Sequence, residues 1–107
     1  GYYVVFATSA EGEFAWIRTG ARDDVRRVAR LEATEWEAFR GGGVDAPVAW
    51  RIVSTGDALS GELRTEAADR ALLPGAGPAL LGYAIVTGYV EDRGIRRNVY
   101  GLIRHVR

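Results

Sequence analysis

His105 is the single histidine of the chain. Histidine titrates nearest to neutral pH and acts as a general acid or base when a partner orients it inside a pocket. Such a partner could come from Glu35 and Glu37, which flank Trp36. Strand alternation would put both carboxylates on one face, where they could work as the paired acids of a hydratase or isomerase. The plainer reading of the same residues is a solvated charged face and a strand histidine near a chain end. One histidine, no cysteine and no useful spacing among the carboxylates leave no metal site to expect. No cofactor is expected either: Gly75-Ala76-Gly77 precedes a strand, whereas a dinucleotide loop joins a strand to a helix.

The remaining chemistry belongs to arginines, glycines and aromatic rings. Arg93, Arg96, Arg97, Arg104 and Arg107 lie close to Tyr89 and Tyr100, a mixture that could hold single-stranded nucleic acid. Glu91 and Asp92 interrupt that patch and the net charge is +0, so nucleic acid is not an expected partner. Gly41-Gly42-Gly43 after Arg40 could cradle an anion with backbone amides, or be a plain flexible tip. Trp16, Trp36, Trp50, Tyr83, Tyr89 and Tyr100 either fill a core or line a cavity for an apolar ligand. Trp50, Tyr83 and Tyr89 are the first choices as lining, followed by Trp36 and His105.

The elements that must carry these side chains are mostly strands. Leu80 to Val90 and Ile95 to Val106 flank Glu91-Asp92-Arg93-Gly94, the pattern of a long antiparallel hairpin. In its first run both alternate sets are apolar. Leu80, Gly82, Ala84, Val86, Gly88 and Val90 form the small set, suited to a crowded inner or crossing surface; Leu81, Tyr83, Ile85, Thr87 and Tyr89 form the large one, suited to a wider space. Tyr2–Thr8 and Glu13–Thr19 read as a hairpin, followed by a loop from Gly20 to Asp24. Val25 to Arg40 fits two descriptions. A helix would gather Val25, Val28, Ala29, Ala33, Trp36 and Phe39, but its early arginines and late glutamates oppose the helix dipole. A strand needs a bulge near Thr34-Glu35, where the alternation changes phase. Ala46–Ser54 is a strand with Val48, Trp50 and Ile52 on one face; Leu59–Thr65 is a strand with one wet face. Glu66 to Leu73 reads as a short helical turn before the breaker Leu73-Pro74-Gly75-Ala76-Gly77-Pro78.

At 107 residues, 48% hydrophobic and 26% charged, the chain makes one modest core over residues 1–107. All fourteen basic residues are arginine, which with the many alanines and glycines fits a GC-rich bacterial coding sequence. No run approaches the ~20 apolar residues that a membrane-spanning helix needs. Cytoplasmic and secreted locations both fit a chain without cysteine. The chain begins in mid-pattern at Gly1-Tyr2-Tyr3 without a methionine, and so reads as a part of a longer protein.

The order of landmarks resembles the second half of the lipocalin-like family of bacterial carotenoid hydratases and secreted-hydrolase-like proteins. Pro47 and Trp50 match a Tyr-Pro…Trp strand of that family. Asp69 and Leu72 match an Asp-Gln-Glu-Leu-like stretch, Gly82 and Gly88 keep a six-residue glycine spacing, and Gly101 matches a closing Gly-Tyr-x-Glu strand. Where the family has Trp-Glu the chain has Leu80-Leu81, and where it has the closing glutamate the chain has Arg104. The resemblance therefore implies the architecture and an apolar cavity, without the catalytic acids. The expected fold is all-β: an antiparallel lipocalin-like (calycin-type) barrel or strongly curved sheet with at most one short helix. The expected job is binding a hydrophobic small molecule of lipid, terpenoid or polyketide class, beside a second β domain of the same protein. The alternatives are a hydratase or isomerase using His105 with Glu35 or Glu37, and a structural β domain for protein contact.

Overall fold

A computed structural model describes residues 2–9, 12–19, 22–27, 29–39, 44–55, 58–75 and 79–106; within its first three strands only the side chain of Val5 is described. The Gly41–Gly43 tip, Arg107 and the side chain of Trp16 therefore lie outside the described residues. Eight strands run in order: β1 (Tyr2–Ser9), β2 (Gly12–Thr19), β3 (Arg22–Arg27), β4 (Ala29–Ala38), β5 (Asp45–Ser54), β6 (Leu59–Leu72), β7 (Leu80–Asp92) and β8 (Ile95–Val106). They form two antiparallel meanders, β1-β2-β3 and β4-β5-β6-β7-β8, and β1 and β2 lie against β4. The all-β expectation holds. Among the described residues β4 and β8 stay at the two edges of the larger sheet, so it is not closed into a barrel and fits the curved-sheet alternative.

Two local expectations change, and one open alternative is settled. Gly20–Asp24 is not wholly a loop, because Arg22 already pairs with Thr19 as β3 begins. Of the two descriptions of Val25 to Arg40 the strand holds: residues 25–27 belong to β3 and 29–38 to β4, with the register shift between Ala33 and Glu35 that the change of phase requires. Glu66–Leu72 is no helical turn: Glu66 is skipped in a bulge, and Ala67 to Leu72 pair with Leu80 to Ile85. Helix propensity is a weak prior, and a partner strand of matching length overrides it here.

The long hairpin is the backbone of the sheet. β7 pairs from end to end with β8, from Leu81↔Val106 to Asp92↔Ile95. Its two-residue turn, Arg93-Gly94, has φ of 51° and 82°, the left-handed pair that matches strand twist in a tight hairpin. The Arg93 amide donates to the Ala58 carbonyl at 2.8 Å and ties this turn to the start of β6.

β7 settles which of its two apolar sets faces inward. Leu80, Ala84, Val86 and Val90 are essentially inaccessible, whereas Tyr83 and Ile85 are 42% and 51% exposed. Burying each of Leu80, Val86 and Val90 contributes about 1.5–3 kcal/mol before ordering costs. One part of the core joins Ala29, Ile52, Leu59 and Val90; the other joins Trp50, Leu63, Ala84 and Val86. Small residues let the strands crowd on this face. A Cβ on Gly61 would run into the Tyr89 carbonyl, and one on Gly88 into the Glu62 carbonyl.

Candidate functional site

β5 and β6 pair only from Ala49↔Arg64 to Ile52↔Gly61, then part. Two residues explain the divergence. Pro47 has no amide proton to give to a neighbouring strand, and the Glu66 bulge bends β6. The strands open a cleft of about 410 Å³ lined by Glu37, Val48, Thr65, Ala67, Ala68 and Arg70, among others.

Arg70 spans this opening. It follows Ala68 and precedes Leu72 in the β6 alternation and pairs with Gly82, which in turn pairs with His105. Arg70, Gly82 and His105 thus form one row across β6, β7 and β8, on the buried face. The Arg70 Nη1 donates to Glu37 Oε1 at 2.6 Å, linking β6 to β4, and the Arg70 side chain is only 12% exposed. The glycine between them is what admits the imidazole: a Cβ on Gly82 would run into Nε2 and Cε1 of His105. On its other side the ring meets Trp50, with centroids 6.4 Å apart and planes tilted by 51°.

This polar row is unsatisfied. Nε and Nη2 of Arg70, both ring nitrogens of His105 and Oγ1 of Thr65 are shielded from water and have no hydrogen-bond partner. A buried donor without an acceptor costs about 1–3 kcal/mol, and native structures contain few. Burial, and secondarily the positive charge of Arg70, hold the His105 pKa below its ordinary value and keep the ring neutral.

The other candidates are placed elsewhere. Glu35 and Glu37 do not act as one pair, because a different arginine of β6 engages each of them. Arg64 donates to Glu35 at 2.6 Å, Arg70 holds Glu37, and neither carboxylate hydrogen-bonds to His105. Trp36 sits opposite Pro47 and is 42% exposed. Tyr83 and Tyr89 belong to the opposite face of β7 from the Trp50 side chain; residues Trp50 and Tyr89 both border one open groove, and Tyr83 does not. Tyr89 lies under the Arg96 guanidinium, 3.9 Å from its ring centroid, and borders that groove, of about 350 Å³ and separate from the cleft, with Glu35, Arg51, Glu62 and Arg64. This open face is held by charges. Arg51 and Arg30 reach Glu32 at 2.7 and 3.1 Å, and the Arg51 hydrogen bond foremost holds the Glu32 carboxyl below its ordinary range.

Of the sequence candidates, the structure brings together Trp50 and His105, and adds Glu37 through Arg70. Arg70 itself escapes a reading of the sequence that makes Glu66–Leu73 helical. Its signal is a charge in the apolar phase: extending the strand places Ala68, Arg70 and Leu72 on one face. Among the described residues no group of acidic, histidine or cysteine side chains could hold a metal ion, and no helix is long and apolar enough to cross a membrane. Compared with protein-family models, curated proteins and solved structures, the chain matches none of them.

Proposed function

We propose that this domain binds a small molecule with an apolar body, in the cleft between β5 and β6 and against the Trp50–His105 end of the buried face. The observation that carries the reading is the parting of β5 and β6 beside shielded polar atoms that lack partners. An opening in a sheet gives shape, apolar walls give affinity, and a few buried polar groups fix orientation. Val48, Ala67 and Ala68 supply the apolar part of the wall, beside the charged Glu37, Arg64, Glu66 and Arg70. The antiparallel meander and the small inward set of β7 are what a lipocalin-like architecture calls for, and they support that family reading. Binding has more behind it than hydratase or isomerase chemistry, since Glu35 and Glu37 are engaged by arginines and His105 has no carboxylate to work with.

A second reading, a β domain for protein contact, rests on the open face of β7 and β8. There Tyr83, Ile85, Leu102 and Val106 are all exposed, beside a β8 edge that pairs with β7 alone among the described residues. Native mass spectrometry of protein purified from its source separates the two. A retained lipid- or terpenoid-class mass on the monomer supports binding. Bare monomer across several preparations counts against it, and a ligand-free dimer or hetero-complex favours the contact surface.

A further inference from the structure

We infer that the ligand carries a carboxylate, and that Arg70 and His105 receive it; this rests on the binding reading above. A guanidinium has two edges that can take a planar anion, and the edge formed by Nε and Nη2 presents two parallel N–H groups. Glu37 occupies the Nη1 end of Arg70, and the Nε–Nη2 edge has no acceptor. Arg70 lines the cleft together with Thr65, whose hydroxyl is also unpartnered. Two parallel donors want two coplanar acceptor oxygens. A carboxylate supplies them, while an alcohol or amide offers one acceptor and leaves the second donor bare.

Charge selects the same class. The Glu37–Arg70 pair sums to zero, so an incoming carboxylate adds one negative charge to a shielded place. The charged groups lining the cleft are Arg64, Glu66 and Arg70 from β6 and Glu37 from β4, which also sum to zero, with His105 from β8 beside Arg70 as the group that takes the proton. A carboxylate beside His105 raises the affinity of the ring for a proton. Binding therefore takes up a proton, and by linkage it tightens as pH falls. Gly82 keeps the row open: any side chain there would displace the imidazole.

The test uses octanoate and octanamide, which share an apolar tail and differ in the headgroup, followed by nuclear magnetic resonance titration of the whole chain. Octanoate is expected to shift the Arg70 Nε–H resonance and to bind at least about tenfold more tightly than octanamide, the difference that one charge-assisted hydrogen bond makes. Arg70→Lys, which keeps the charge and loses the fork, is expected to narrow that preference to about threefold or less. His105→Gln is expected to abolish the tightening between about pH 7.5 and about pH 5.5. Equal affinity for the two probes, with Arg70→Lys without effect, overturns the carboxylate assignment and leaves the binding reading standing. Failure of both probes to bind near the cleft overturns both. A bound water giving cross-relaxation to Arg70 Nε–H, unmoved by octanoate, overturns the carboxylate assignment by showing that solvent satisfies the fork. If Arg70→Lys fails to fold, the comparison of octanoate with octanamide on the unaltered chain still decides the matter.

Discussion

Gly82 and Gly88 stand on the same buried face of β7, yet different things occupy the space where a side chain would begin. At Gly88 it is backbone: the Glu62 carbonyl, with the Leu63 Cα at 3.0 Å. At Gly82 it is the imidazole of His105. One end of the face is closed by main chain that belongs to a hydrogen-bonded ladder. The other is closed by a ring that can turn about its own side-chain bonds. The difference teaches where this sheet is fixed and where it can adjust, and the adjustable end is the one where β5 and β6 part. The sharpest way to break the comparison is Gly88→Ala. No rotamer relieves a clash with a strand carbonyl, so the β6–β7 ladder itself must shift. The expected loss is about 3 kcal/mol or more, a large share of the ~5–15 kcal/mol that holds a domain together. Urea unfolding monitored by tryptophan fluorescence measures it.

Gly82→Ala is expected to cost less, about 1–2 kcal/mol, because the imidazole can swing away from the new methyl group. The cost should also be recoverable. With His105→Ala in place there is no ring to displace, so the pair of substitutions should be less harmful than the sum of the two by about 1 kcal/mol. A double-mutant cycle on the same unfolding signal reads this coupling. Gly82→Ala as damaging as Gly88→Ala, with additive energies in the cycle, would mean that backbone closes both ends.

How much of this could be read from the residues depends on whether the information was local. The β7–β8 hairpin was legible because its turn, its alternation and its length all sit in one continuous stretch. The β4 bulge was legible because the apolar phase changes between Ala33 and Trp36. The inward face of β7 was legible only in part: the small set suits a crowded inner surface, but the large set is apolar too and left its rings open as lining of a wider space. Register decides it. Tyr83 stands between Asp69 on β6 and Arg104 on β8, and Tyr89 between Glu62 and Asn98, so the large set shares its rows with polar neighbours that belong to open water. Those neighbours come from strands far along the chain, and single-strand periodicity carries no register. The site follows the same rule. His105 and Trp50 draw notice by type, but their meeting, and the Arg70 between cleft and ring, exist only once β6 is extended through Leu72. Glu35 and Glu37 show what alternation leaves out: it pairs them, but arginines from β6, Arg64 and Arg70, engage them one each.

The smallest effect tests the adjustable end by charge and not by volume. Burial and the nearby Arg70 lower the His105 pKa from an ordinary value of 6.5. The sign follows from which state takes the proton. Above about pH 7 the ring is neutral both folded and unfolded, and contributes nothing. As pH falls through the ordinary value, the unfolded chain binds a proton that the folded one resists, so stability falls on acidification until the folded pKa is reached. The slope from one such group stays below about 1.4 kcal/mol per pH unit. Between about pH 7.5 and about pH 5.5 the unaltered chain should lose stability, while His105→Gln should be nearly level over the same window. Glu32, held below its ordinary range by Arg51, stays ionised when folded and contributes its own loss only at lower pH, near and beneath an ordinary 4.5. Urea midpoints for the two chains across the window separate these contributions. A chain that grows more stable on acidification would show that the folded ring welcomes the proton, which requires an acceptor facing it in place of the Arg70 guanidinium.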